Sequence, residues 1–175
     1  MIEQVWCRER LLKWCDGNGL DVGFGGSPIQ PSAIALDRRE GHPERARIDC
    51  PAPTHLVGDA ADLVWFRDSV LDYVFSSHCL EDFTDTQAVL REWARVLKPG
   101  GRIVLFLPDQ QTYVRHCAEK CEMPNAAHKL PHFSLAWVKE CGAALGNLAV
   151  VHELWPVPGN AYSFDLVFQK TESCQ

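Results

Sequence analysis

No stretch of this 175-residue chain is apolar for long enough to span a bilayer, so the reading includes no membrane partner. The first fifteen residues, MIEQVWCRERLLKWC, carry too many charges to form the apolar core of a signal sequence. Positive charge is also short: 17 Lys and Arg stand against 23 Asp and Glu, a formal net charge of -6. Binding a phosphate backbone normally draws on a basic face, so no nucleic acid is expected as partner. The one basic run, Arg38, Arg39, Arg45 and Arg47, reads as a solvated surface loop. The chain also lacks internal repeats, low-complexity tracts and any compositional break. At 46% hydrophobic and 23% charged residues it reads as one ordinary globular domain over 1–175, with disorder expected only in the final TESCQ.

The eight cysteines are scattered and no disulfide framework is expected. With no signal sequence, they favour a reducing cytoplasm and free thiols buried as small hydrophobes. One group needs separate weighing. Cys117, Cys121, His128 and His132 form C-x3-C-x6-H-x3-H, four zinc-competent side chains in sixteen residues. Zinc fingers place about twelve residues in the middle gap, too many for this segment. No metal is therefore assigned, and the segment reads as a helix and loop lying over an active site.

What the chain does contain begins at residues 20–37, LDVGFGGSPIQPSAIALD: an apolar stretch, a glycine turn, and a second apolar stretch ending in an acid. In an open parallel sheet, ligands sit beyond the carboxyl ends of the strands, where glycines let backbone approach and an acid can grip a ribose. Gly23, Gly25 and Gly26 supply the bare backbone and Asp37 the acid, which suggests a nucleotide-type cofactor.

The rest is an alternation of strands and helices. Residues 1–19 hold a packing helix, with Val5, Trp6, Leu11, Leu12 and Cys15 apolar, stopped by Asp16-Gly17-Asn18-Gly19. Strands are expected at 20–24, 33–37 and 54–60, with Pro28 and Pro31 leaving only a stunted helix after the first and the region from Arg38 to Pro53 reduced to a loop. LDYVFSS at 71–77 and RIVLFLP at 102–108 read as buried parallel strands. The helix between them has a capping box of Thr84 and Gln87 and a buried face of Val89, Leu90, Trp93, Val96 and Leu97, and it ends at Lys98-Pro99-Gly100-Gly101. Ser134 caps a last helix through Leu145 with Gly146 as its stop; strands at 148–154 and over Tyr162–Phe168 then pair antiparallel. The predicted fold class is α/β, a Rossmann-like three-layer sandwich. Its parts are a cofactor-binding region at 20–109, a substrate roof at 110–133, and a C-terminal helix and hairpin at 134–170.

Laid out this way, the sequence resembles the class I S-adenosylmethionine-dependent methyltransferases, in particular the small type 11 family, over about residues 18–170. The resemblance rests on LDVGFGG, Asp37 ending strand two, GDA at 58–60, LDYVFSSHCLED, and RVLKPGG leading into RIVLFLP. It implies a mostly parallel seven-stranded sheet with an antiparallel last strand, and S-adenosylmethionine as cofactor. It also implies roles by position. Asp21 opens the glycine motif, and Gly23 and Gly25 pass under the cofactor. Asp37 accepts from both ribose hydroxyls, Asp59 from the adenine amino group, and the Ala60 backbone faces the ring edge. Ser77 offers its carbonyl to the methionine ammonium, and His78 stands near the transferable methyl. Two departures stand out: Ser27 occupies the place of a usual third glycine, and the reduced region 38–53 opens the adenine side, which suggests weaker cofactor binding or a homo-oligomer whose partner subunit completes the site.

Methyl transfer asks mainly for positioning, since the sulfonium leaves as a neutral thioether. A hydroxyl acceptor also needs a base, and histidine titrates in the useful range. His78 and His128 are the favoured catalytic residues, with Asp109, Tyr113, His116 and His132 as further substrate-site candidates and Trp137 as a pocket-shaping aromatic. The acidic charge and the aromatics suit a small-molecule or sugar acceptor taking the methyl on oxygen or nitrogen. A nicotinamide oxidoreductase fails because Pro28 stands where its fingerprint needs a third glycine. A non-catalytic cofactor-binding regulatory or scaffold subunit is the remaining alternative.

Overall fold

The structure is a computed structural model that describes residues 3–38 and 56–172. Seven strands form one sheet: β1 (Gly19–Val22), β2 (Ile34–Asp37), β3 (Leu56–Val57), β4 (Leu71–Ser77), β5 (Leu97–Pro108), β6 (Leu148–Leu154) and β7 (Ser163–Lys170). Their order is β3-β2-β1-β4-β5-β7-β6. All neighbours are parallel except at β7, which runs antiparallel to both β5 and β6. This is the architecture the sequence implied. The order reverses direction between β1 and β4, the point at which an open α/β sheet leaves a crevice beyond its strand ends.

Alternation along the central strands explains why both faces are covered. On β5, Ile103, Leu105 and Leu107 enter one core, and Val104 and Phe106 enter the other. The first core is roofed by α2 (Thr86–Val96) and α4 (Leu135–Ala143), the second by α1 (Glu3–Leu11). α1 is pinned by charge as well as by Cys7 and Leu11. Its Arg10 makes a two-pronged pair with the fully buried Asp165 of β7, Nε to Oδ2 at 2.7 Å and Nη2 to Oδ1 at 3.1 Å. No helix among the described residues is long and apolar enough to cross a membrane.

Three local expectations are corrected. The capping box of Thr84 and Gln87 does not form: Asp85 is the cap, its carboxylate accepting from the Ala88 N–H at 2.8 Å, so the helix starts one residue later. Between β1 and β2 the chain makes turns, closed by Ser27 N–H to Phe24 O and Ala33 N–H to Gln30 O, and no helix. β5 begins at Leu97, directly after α2. Leu97 pairs with Leu71, the register then shifts, and Arg102 pairs with Tyr73, so Lys98–Gly101 form a bulge within the strand. The reduced loop read between Arg38 and Pro53, together with Arg39, Arg45 and Arg47, lies outside the described residues apart from Arg38. The six described cysteines are free.

Candidate cofactor and acceptor site

At the carboxyl end of β1 the chain turns through Gly23, Gly25 and Gly26, with φ of 66°, 58° and 90°. Glycine is required at Gly23 twice over. Its φ is left-handed, and a Cβ there would lie 2.7 Å from the Cys79 Sγ. The turn is held from beneath by Asp21, whose Oδ2 accepts from the Ile29 N–H at 2.6 Å. From outside, Arg8 of α1 donates to the Pro28 carbonyl at 2.8 Å and to Ser27 Oγ at 3.2 Å. Ser27, which replaces the usual glycine, is thus absorbed as the acceptor for that arginine.

Asp21 is fully buried, and desolvation pushes its carboxyl well above the ordinary aspartate value, against the lowering effects of the Ile29 N–H and Arg8. Such a group binds its proton more tightly folded than unfolded. Its contribution to stability is therefore full below the ordinary aspartate range and is lost as pH rises through the raised value. Asp21→Asn keeps an acceptor for Ile29 and removes the titration. Its urea midpoint should fall less steeply with rising pH than that of the unsubstituted chain; parallel curves would contradict the assignment.

Beside the turn stand two more acids. Asp37, ending β2, faces the glycines: its Oδ2 accepts from the Gly25 N–H at 3.1 Å and its Oδ1 from the Arg38 N–H at 2.7 Å. Asp59 follows β3. Its Oδ1 accepts from the Ala61 N–H at 2.9 Å, and its Oδ2 pairs with the Arg38 guanidinium. The Ala60 carbonyl accepts from the Trp93 indole at 2.8 Å, which ties this loop to α2.

A second cluster lies across the strand ends. His78, directly after β4, takes φ 50°, and its N–H donates to Phe106 O at 2.9 Å. A bulky residue in that conformation is uncommon and is found where surrounding structure enforces it. Its Nε2 is 3.2 Å from Ser163 Oγ, its Nδ1 3.6 Å from Oε1 of Glu81. Glu81 is 1% exposed, and the same Oε1 lies 3.6 Å from His128 Nε2. His128 Nδ1 is 2.6 Å from Gln110 Oε1; with that oxygen as acceptor, Nδ1 carries the proton and Nε2 is turned to Glu81.

The roof over this cluster is α3 (Gln110–Glu119) and the loop after it. Asp109 caps α3, its Oδ1 accepting from the N–H and hydroxyl of Thr112 at 3.0 and 2.8 Å. Tyr113 accepts from the Asn125 N–H at 3.1 Å, tying the loop to the helix. Its ring lies 4.9 Å from His128 and 5.3 Å from Tyr162, and His116 lies 4.9 Å from Tyr162 on the other side. Burial pushes the Tyr113 phenol up to about 12, so it is a neutral hydroxyl near pH 7.

The family profile described as "Methyltransferase domain" matches residues 20–105, from the start of β1 into β5. A demethylmenaquinone methyltransferase of Mycolicibacterium paratuberculosis is 52% identical over 50 residues, 29% of this chain. A ubiquinone/menaquinone biosynthesis C-methyltransferase of Vibrio campbellii is 40% identical over 52 residues, 30% of this chain. The chain spans about a fifth of the length of these curated relatives, 21% and 20%. Among solved structures, a SAM dependent methyltransferase from Archaeoglobus fulgidus superposes with a TM-score of 0.73 at 16% identity, covering 95% of this chain and 94% of that one. Residues 20–105, just under half of the chain, match the methyltransferase domain family, and the chain as a whole has the fold of the S-adenosylmethionine-dependent methyltransferases. S-adenosylmethionine is the cofactor of such a methyltransferase, and the residues present fit it: a left-handed glycine turn stands beside the Asp37 carboxylate, which accepts from the Gly25 N–H.

Measured against this methyltransferase framework, the residues singled out in the sequence divide. Gly23, Gly25, Asp37, Asp59, Ala60 and Ser77 lie at the carboxyl ends of β1 to β4. Asp21 belongs to the same motif, but its carboxylate is turned into the protein and acts on the turn. His78, His128, Tyr113 and His116 form one continuous group with Tyr162. Asp109 is engaged as a cap. His132 is exposed and packs edge-on against Trp137 at 4.6 Å, and the Trp137 indole donates to Thr86 Oγ1 at 3.4 Å, so this pair packs toward α2. Cys117 is buried while Cys121 is exposed, and no group of three or more His, Cys, Asp or Glu among the described residues converges as metal ligands. Sequence reading missed Glu81, Tyr162, Gln110 and Ser163. Glu81 had a signal, its three-residue spacing from His78; Tyr162 had none beyond strand alternation.

Proposed function

We propose that this chain transfers the methyl group of S-adenosylmethionine to a hydroxyl on a small, planar acceptor. The observation that carries this reading is the convergence of two imidazoles, His78 and His128, beneath a tyrosine-lined roof at the strand ends next to the glycine turn. In this proposal Gly23 and Gly25 pass under the cofactor and Asp37 accepts from its ribose hydroxyls. Asp59 accepts from the adenine amino group once Arg38 releases it, and the Ser77 carbonyl takes the methionine ammonium. Bound there, the cofactor supplies an electrophilic methyl on a sulfonium.

The residues of this chain then have two tasks. Tyr113, Tyr162 and His116 hold a flat ring by stacking. An imidazole takes the acceptor's proton as its oxygen becomes the nucleophile; His78 Nε2, 3.2 Å from the Ser163 hydroxyl, is the nitrogen a substrate hydroxyl can reach by displacement. His78→Asn should lower turnover by about 100-fold while leaving the affinity for S-adenosylhomocysteine nearly unchanged; equal loss of both would contradict a base role.

The names of the quinone-pathway relatives favour a second reading, in which a ring carbon of a hydroxylated acceptor takes the methyl and the same imidazoles deprotonate its hydroxyl. Incubation with methyl-labelled S-adenosylmethionine and a panel of phenols, quinols and sugars, followed by mass spectrometry, separates O- from C-methylated product. Absence of transfer to any acceptor, with cofactor bound, would instead favour a regulatory cofactor-binding subunit.

A further inference from the structure

We infer that Glu81 is the positioning residue that makes His78 and His128 a single acid–base unit, with its carboxylate holding Nδ1 of one ring and Nε2 of the other. The inference rests on the acceptor-site reading above, but the arrangement can be tested without any acceptor. One carboxylate oxygen lies 3.6 Å from each imidazole, and the residue is 1% exposed. An ionised carboxylate buried this far needs a cationic or proton-donating neighbour, and the two rings face it from different elements, His78 from the end of β4 and His128 from the roof loop.

The outer nitrogens are fixed by other groups. His128 Nδ1 is held by Gln110 and His78 Nε2 lies against the Ser163 hydroxyl. A proton on this unit therefore has two places to sit that face the same carboxylate, and Glu81 turns the His78 ring so that Nδ1 points inward and Nε2 outward. That is the arrangement a base needs: one nitrogen oriented by an acid, the other presented to the acceptor hydroxyl. The roof is tied to the same residue through its backbone, since the Lys129 N–H donates to the Glu81 carbonyl at 3.0 Å. Loop placement and ring orientation thus depend on one short segment after β4.

Other titratable groups near this unit do not supply the same coupling. Cys79, two residues before Glu81, is half-buried and its thiol is pushed up by desolvation, so it is neutral. Asp82 adds a second negative charge from the same turn. Tyr113 packs on His128 and Tyr162 on His78, both as rings, and His116 packs on Tyr162.

The test is a pH titration of ring-labelled histidine by NMR on the intact chain, with and without Glu81→Gln. The substitution preserves size and the backbone contact to Lys129. It should lower the midpoints of both His78 and His128 by about one pH unit or more and leave His116, His132 and His152 in place. Unmoved midpoints at either His78 or His128 overturn the inference. Should Glu81→Gln not fold, His128→Gln is read instead: freeing Glu81 from its second ring should raise the His78 midpoint, and an unchanged one overturns the inference equally. Because neither titration requires methyl transfer, a coupled pair in a chain that methylates nothing would sink the proposed activity and leave the positioning role standing.

Discussion

Asp37→Ala should bind S-adenosylhomocysteine about 100-fold more weakly than the unsubstituted chain, a loss of roughly 3 kcal/mol, while unfolding at nearly the same urea concentration. The reasoning starts from where the carboxylate stands. It ends β2, next to β1 in the sheet, and it faces the glycine turn, accepting from the Gly25 N–H. In the proposed complex both its oxygens take ribose hydroxyls, and hydrogen bonds to a charged acceptor are worth about 1.5–3 kcal/mol each. Removing it costs those bonds in the complex. In the free chain the loss is smaller: Asp37 and Gly25 are only half-buried, so water can replace the carboxylate at the Gly25 N–H. Asp37→Asn should fall between, since the amide keeps one acceptor oxygen and loses the charge. Calorimetric titration measures all three. An affinity unaffected by Asp37→Ala would remove the ribose contact from the proposal and with it the main reason for reading the turn as a cofactor cradle.

The ease of reading differs sharply between parts of this chain, for identifiable reasons. β4 and β6 have the bounds expected from sequence, 71–77 and 148–154. Ser134 caps α4 as expected, its hydroxyl accepting from the Trp137 N–H at 3.2 Å. At α2 three capping residues follow one another, Thr84, Asp85 and Thr86, and spacing alone cannot choose. The fold does, by burying Thr86 inside the first turn. β5 starts earlier than its apolar run because pairing of Leu97 with Leu71 is a tertiary event that Lys98-Pro99-Gly100-Gly101 conceals.

The site shows the same division. The proposed cofactor end lies on contiguous motifs, with Gly23, Gly25 and Asp37 within one short stretch of chain. The acceptor end is assembled from four separated segments, near residues 78–81, 110–116, 125–128 and 162–163. His78 and His128 were identifiable as titratable groups, but their joining through Glu81 depends on the turn after β4 meeting the roof loop. Asp109 stands at the end of a central strand, where an acid reads as a substrate contact, and its Oδ1 caps α3 by accepting from Thr112.

The largest loss of stability should come from Trp93→Ala, about 3–5 kcal/mol out of the roughly 5–15 kcal/mol typical of a domain. Trp93 is fully buried on α2 among Leu63, Leu90, Leu97 and the β-sheet side chains of the first core, so its removal leaves a cavity. It also orphans the Ala60 carbonyl, to which the indole donates at 2.8 Å. Trp93→Phe separates the two effects: it retains most of the ring volume and removes only the N–H, which should cost about 1–3 kcal/mol. The two variants should also differ in function. Ala60 adjoins Asp59, and the Trp93 indole is what fixes that loop to α2, so even the milder Phe variant should weaken binding of S-adenosylhomocysteine. The variant of a comparably buried residue without this tether, Leu90→Ala, should lose stability and keep its affinity under conditions where it is folded. Equal affinities for Trp93→Phe and the unsubstituted chain would show that the Asp59–Ala60 loop holds its place without the tryptophan.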